Sequence, residues 1–240
     1  MSFMEEFAAS VVQLGQGIYA IDQQMVRSFL IVGTKSALCL DAGVSKADFT
    51  GLIRSVTDLP VSCCLTHTDG DHTANLDSFS RIYIHSDELP LLKQEQCAAG
   101  AEIIPVVEEN CFDLGGIVLK VVSCPGHTPG SIALLDEKAG VLFSGDTVSY
   151  GPVYLFGGHR DPERYMESLL KLRTMAERGI FNTVYPSHNT CPVSADIISD
   201  LIECTMGIKD GSLKGCPAEM GRPGTEDVML YTYGKCGIYR

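Results

Sequence analysis

The chain has 240 residues, 45% of them hydrophobic, with 18 Lys+Arg against 30 Asp+Glu and a formal net charge of −12. That balance excludes general affinity for phosphate backbones and anionic membranes, so neither nucleic acid nor a membrane surface is an expected partner. No stretch reaches the roughly 20 apolar residues of a membrane helix, and the opening Met1-Ser2-Phe3-Met4-Glu5-Glu6 is acidic where a secretory leader is basic, so a cytoplasmic setting is expected. Ten cysteines are scattered without a CxxC pair and read as reduced, mostly buried thiols.

Taken in chain order, apolar runs at 17–21, 28–33 and 37–43 predict strands separated by turns. A helix is expected over 45–57, and then a strand, Val61-Ser62-Cys63-Cys64-Leu65, delivers Thr66-His67-Thr68-Asp69-Gly70-Asp71-His72. His67, Asp69, Asp71 and His72 add nothing to a core and crowd two carboxylates together. A cation would relieve that repulsion, and imidazole with carboxylate suits zinc, iron or manganese.

A second cycle follows. A strand is expected at 81–84, a helix start at Ser86-Asp87-Glu88 with Pro90 in its first turn, and a strand at 117–122 that runs into the loop Cys124-Pro125-Gly126-His127-Thr128-Pro129-Gly130-Ser131. Strands at 132–135 and 141–143 come next, the second ending in Ser144-Gly145-Asp146-Thr147. Asp161 as N-cap and Pro162 at the first position start a helix whose Met166, Leu169, Leu170 and Met175 keep helical spacing as far as Gly179. A short strand at 182–186 leads to Ser187-His188-Asn189, and a helix over 193–206 precedes the Gly-rich stretch 207–224 and a closing strand at 228–233. No linker divides the chain, so 1–240 is expected to form one domain, with every candidate ligand where a strand ends in a loop.

His67-Thr-Asp69-Gly-Asp71-His72, Gly-His127-Thr-Pro-Gly-Ser, Ser-Gly-Asp146-Thr and Pro-Ser-His188 stand in one order, and in this the chain resembles the metallo-β-lactamase-fold hydrolases, the superfamily of glyoxalase II and the lactonases, from about Gly17 to His188. The resemblance implies an α/β protein, a four-layer αββα sandwich of two similar halves with one or two metals at the sheet edges. It implies that His67 and His127 hold a first metal, that Asp71, His72 and His188 hold a second, and that Asp146 bridges them. Asp41, in a Leu-Asp-Ala-Gly turn, matches a position that orients ligands. The family motif is His-x-His-x-Asp-His, and Asp69 stands where its second histidine belongs. As a ligand, Asp69 would make the site one charge less positive; alternatively it turns toward neighbouring donors or a water. Two divalent ions are expected, zinc first, with iron or manganese admitted by Asp69.

Other residues have plainer readings. His85 reads as a helix-start or core residue, and Cys191 as a passive thiol. His159 or Arg160 could line a substrate cleft, as could Tyr154 and Phe156, for which core packing is the default reading. The implied chemistry is hydrolysis of a small ester, thioester or lactone by a metal-bridged hydroxide, with Asp71 as the catalytic residue that orients it and takes its proton. No Gly-x-Ser-x-Gly elbow offers a serine nucleophile. The rival is an iron-dependent redox enzyme of the same fold, either persulfide dioxygenase-like or di-iron, since His67, His127 and Asp146 alone make a two-His-one-carboxylate set. A scaffold with a vestigial metal site is the third alternative. The partner expected is a small-molecule substrate, and either the acidic surface or the stretch 207–224 could serve a homodimer interface.

Overall fold

The structure, a computed structural model, describes residues 8–240, so the acidic opening Met1-Ser2-Phe3-Met4-Glu5-Glu6 lies outside the described residues. The chain divides between Val122 and Ser123 into two compact units.

The first unit is built on β1 (Ser10–Gly15), β2 (Ile18–Asp22), β3 (Arg27–Val32), β4 (Ala37–Leu40), β5 (Val61–Cys64), β6 (Arg81–His85) and β7 (Glu102–Val106), which form one sheet in sequence order. β1 to β4 are joined by tight turns and pair antiparallel, whereas β4 to β7 pair parallel and need crossovers. In the first crossover lies α1 (Phe49–Arg54), capped by Asp48, whose side chain accepts from Gly51 N–H. Its Phe49 and Ile53 bury against Ile21, Leu30, Cys39, Cys63, Leu65 and Ile82, the core of this unit. A hairpin of β8 (Cys111–Asp113) and β9 (Val118–Ser123) follows.

Two expected helices are shorter than their sequence suggests. Over 45–57 only Phe49–Arg54 is α-helical, because side chains from elsewhere take the Ser45 carbonyl that a helix starting there would offer to Phe49: it accepts from Gln23 Nε2 at 3.0 Å and from Asn75 Nδ2 at 2.9 Å, and Phe49 N–H turns to Ala47 O instead. The helix start at Ser86 stops as a 3-10 turn over Ser86–Glu88. Pro90 has no N–H to return to Ser86, whose carbonyl instead accepts from Leu89 at 3.3 Å.

The second unit comprises β10 (Ile132–Asp136), β11 (Val141–Gly145), β12 (Pro152–Tyr154), α2 (Pro162–Glu177), β13 (Thr183–Pro186), β14 (Val193–Ser194), α3 (Ile197–Asp210), β15 (Cys216–Pro217), β16 (Met229–Tyr233) and β17 (Cys236–Tyr239). Within it, strands run in the order β14-β13-β11-β10, with β11 and β13 parallel, and β12-β17-β16-β15 form a separate sheet. The helix expected over 193–206 begins only at Ile197, since Val193 and Ser194 pair with Val184 and Thr183 as an edge strand. On α2 the buried stripe is Tyr165, Ser168, Leu169 and Leu172, while Leu170 is 39% exposed. The expected closing strand is β16, and β17 returns along it to pair in parallel with β12.

Candidate metal centre

In the first unit the site grows from the ends of β4 and β5. Asp41, in left-handed backbone (φ 65°), accepts Thr66 N–H at 2.7 Å through Oδ1. Its Oδ2 accepts the Thr66 hydroxyl at 2.8 Å and lies 2.8 Å from His72 Nδ1. A carboxylate only accepts, so His72 carries its proton on Nδ1 and Thr66 has spent its single proton on Asp41. The Thr66 oxygen, 2.9 Å from His67 Nδ1, must then accept from that nitrogen. Both imidazoles are therefore Nδ1–H tautomers whose lone pair sits on Nε2. The rings lie 4.2 Å apart and are buried. The turn between them is held by Glu88, a fully buried carboxylate that accepts Thr68 N–H at 2.9 Å and the Thr68 hydroxyl at 2.6 Å.

Each Nε2 faces a carboxylate oxygen, His67 to Asp69 Oδ2 at 3.6 Å and His72 to Asp71 Oδ2 at 3.9 Å. Asp69 and Asp71 are the open side of this set, at 32% and 37% side-chain exposure.

The second unit repeats the logic with different partners. Gly126, ahead of His127, has φ 135°, and a Cβ there would lie 2.3 Å from Tyr165 Cα and 2.4 Å from its nitrogen, so only glycine lets the His127 loop pass α2. His127 Nδ1 lies 2.9 Å from the Tyr154 carbonyl, an obligate acceptor, which again puts the lone pair on Nε2. That nitrogen is 3.6 Å from Asp146 Oδ2, and His188 Nε2 is 3.3 Å from the same oxygen. The Asp146 turn is fixed by Ser144 Oγ donating to Val148 O at 2.9 Å and by the buried Tyr165 hydroxyl donating to Thr147 O at 2.8 Å.

These donor sets fit divalent cations. An imidazolium hydrogen-bonded to a carboxylate closes to about 2.7–2.9 Å, shorter than any of the four Nε2–carboxylate separations. Lone-pair nitrogens and carboxylate oxygens repel one another unless a cation lies between them. Spacings of 3.3–3.9 Å resemble the ~3.4 Å between ligands in a tetrahedral shell with bonds of ~2.1 Å. His67, Asp69, Asp71, His72, His127, Asp146 and His188 thus offer ligand atoms of the right kind for metal.

Of the remaining candidates, His85 Nδ1 accepts from Asp87 N–H at 3.2 Å and caps a 3-10 turn, as its helix-start reading expects. His159 is exposed with φ 66°. Sequence reasoning passed over Glu88 and the supporting role of Thr66, and no side-chain pattern could have shown the Tyr154 carbonyl.

A model of the metallo-beta-lactamase superfamily matches residues 21–188, a span that holds all seven candidate ligands. The acyl-coenzyme A thioesterase MBLAC2 of Gallus gallus is 27% identical over 230 residues, covering 78% of this chain and 82% of its own. An atrochrysone carboxyl ACP thioesterase of Aspergillus terreus is 24% identical over 192 residues, covering 78% of this chain and 56% of its own. Among solved structures, a metallo-beta-lactamase from Pontibacter korlensis has a TM-score of 0.68 at 15% identity over 83% of this chain and 99% of that one. One from Erythrobacter litoralis has a TM-score of 0.64 at 17% identity over 86% and 98%. The structural likeness bears out the fold expected from the order of the four segments, and with the family model running over most of the sequence, the chain belongs to the metallo-β-lactamase superfamily.

Proposed function

We propose that the protein is a metal-dependent hydrolase of small thioesters. The observation that carries the metal dependence is that His67, His72 and His127 are locked as Nδ1–H tautomers with each Nε2 turned to a carboxylate. Family membership supports joining the two donor sets into one dinuclear centre: His67, Asp69 and His127 for one ion, Asp71, His72 and His188 for the other, and Asp146 for both. Zinc suits these donors, and Asp69, harder than an imidazole, admits iron or manganese. The thioester class is supported by the named activities of relatives that this chain matches along most of its length.

Bound divalent cations supply Lewis acidity and activate water near neutral pH. The protein's own contribution is positional. Asp41 and the Tyr154 carbonyl hold ring orientation and tautomer, and Asp71, partly open to solvent, takes the proton of the attacking water. Water adds to the thioester carbonyl, the C–S bond breaks, and carboxylic acid and thiol leave.

The test is metal analysis of the purified protein followed by thiol release from acetyl-, benzoyl- and palmitoyl-coenzyme A. Turnover that a chelator abolishes and added zinc or manganese restores is the expected result. Two metals per chain without thiol release would overturn the substrate class. One iron per chain, with oxygen consumed in the presence of a persulfide, would replace hydrolysis by the redox reading.

A further inference from the structure

His188 Nε2 stands 3.3 Å from Asp146. The chain on either side of it is tied to the loop that carries Asp146. Ahead of it, Ser187 N–H donates to the carbonyl of Gly145, the residue before Asp146, at 3.1 Å. Behind it, Asn189 Nδ2 donates to Ser149 Oγ at 3.1 Å, three residues beyond Asp146. The same hydroxyl oxygen accepts Gly151 N–H at 3.1 Å and belongs to a residue only 3% exposed. Both neighbours of His188 are therefore tied to the loop that carries Asp146.

Two backbone features show that this second tie is built. Asn189 has φ 59°, the left-handed region that asparagine tolerates far better than most side chains do. Gly151 leaves space for its amide: a Cβ there would lie 2.0 Å from Asn189 Nδ2 and 2.3 Å from its Cγ. Serine, asparagine and glycine thus interlock within a few ångströms, with His188 carried on the asparagine.

We infer that Asn189 and Ser149 are positioning residues that set His188 against Asp146, so that the two ligands share a cation without rearrangement. The inference rests on the metal-centre reading above. A ligand held by such supporting contacts binds metal about 10–100-fold more tightly than one left to itself.

The test uses the full chain with Asn189→Gly, which keeps the left-handed backbone and removes the amide, with Ser149→Ala, and with both together. Zinc affinity is measured by chelator competition, and the His188 imidazole signals of the metal-free protein are followed by NMR. Each single change should weaken the second zinc about 10-fold, the double change should cost no more than either one, and the His188 signals should broaden in all three. Zinc affinity within twofold of the parent and unchanged His188 signals would overturn the inference. So would a lower melting temperature with neither readout moved, which is the mark of a merely structural contact. If the parent protein takes up no zinc, the metal-centre reading fails, and the His188 signals alone then decide whether the tether positions the ring.

Discussion

Asp41 accepts from Thr66 twice and from His72 once, and the direction of those three bonds dictates where the protons of two imidazoles sit. Exchanging it for asparagine keeps the size and removes an acceptor. An amide nitrogen turned to His72 would clash with the Nδ1 proton, while the amide oxygen turned to His72 would leave Thr66 facing a donor. Asp41→Asn should therefore lower zinc affinity about 10–100-fold, measurable by chelator competition, with little change in the far-UV spectrum. Asp146 faces His127 and His188, at 3.6 and 3.3 Å, and at 12% side-chain exposure is more enclosed than Asp69, which stands 3.6 Å from His67 at 32%. If Asp146 serves both ions, as proposed, Asp146→Ala should cost more metal and at least tenfold more kcat/KM than Asp69→Ala; equal losses in the two variants would count against the proposed bridge. Glu88 matters through its partner. Truncating it to alanine leaves the Thr68 N–H and hydroxyl without their acceptor, and losing bonds to a charged group should lower the unfolding free energy by about 2–3 kcal/mol in a urea titration.

The element that ties the site of the second unit to its scaffold is the start of α2. Asp161 caps it by accepting the N–H groups of Glu163 and Arg164, both at 3.0 Å, and its own N–H donates to Gly126 O at 2.8 Å. The helix start and the His127 loop are thereby one piece. Asp161→Ala should cost about 1 kcal/mol, as caps do. Gly126→Ala should cost about 3 kcal/mol or more, because positive-φ strain adds to a clash with helix backbone that cannot move aside. Urea midpoints of the two variants check the ranking, and a Gly126→Ala protein as stable as Asp161→Ala would contradict the close approach. The cap and Pro162 were legible in the sequence because N-terminal signals are local. Strands β8 and β12 were not, for a physical reason: they have three residues each, too short for an alternation to register, and β12 finds its partner, β17, some eighty positions later. Helix α1 shrank for the same reason of distance, since Gln23 and Asn75 take the Ser45 carbonyl from far points in the chain.

Across the molecule, what could be read from sequence divides by the same rule of distance. Candidate ligands were legible because they cluster in short segments after apolar strands, and of the groups that aim them Asp41 was legible in its Leu-Asp-Ala-Gly turn; Glu88 comes from another element and the Tyr154 carbonyl from the backbone, and neither leaves a pattern. The cysteines obey the same division and allow a test of the fold that needs no metal. All ten are free thiols. Cys39 on β4 and Cys63 and Cys64 on β5 are completely buried, and burial, reinforced by the nearby Asp41 carboxylate, pushes all three thiols up. Thiolate is the reactive form, so these three are protected twice, by access and by protonation. Cys111 and Cys216 are exposed. Brief alkylation with iodoacetamide, read by peptide mass spectrometry, should label Cys111 and Cys216 in the native protein and reach Cys39, Cys63 and Cys64 only after denaturant is added. Stripping metal with a chelator should leave that protection intact, because Cys39 and Cys63 pack with Ile21, Leu30, Phe49 and Ile82 in an apolar core that has no need of a cation. Labelling of Cys63 after chelation alone would mean that the metal ligands hold the first sheet together, and that the core described here cannot stand without them.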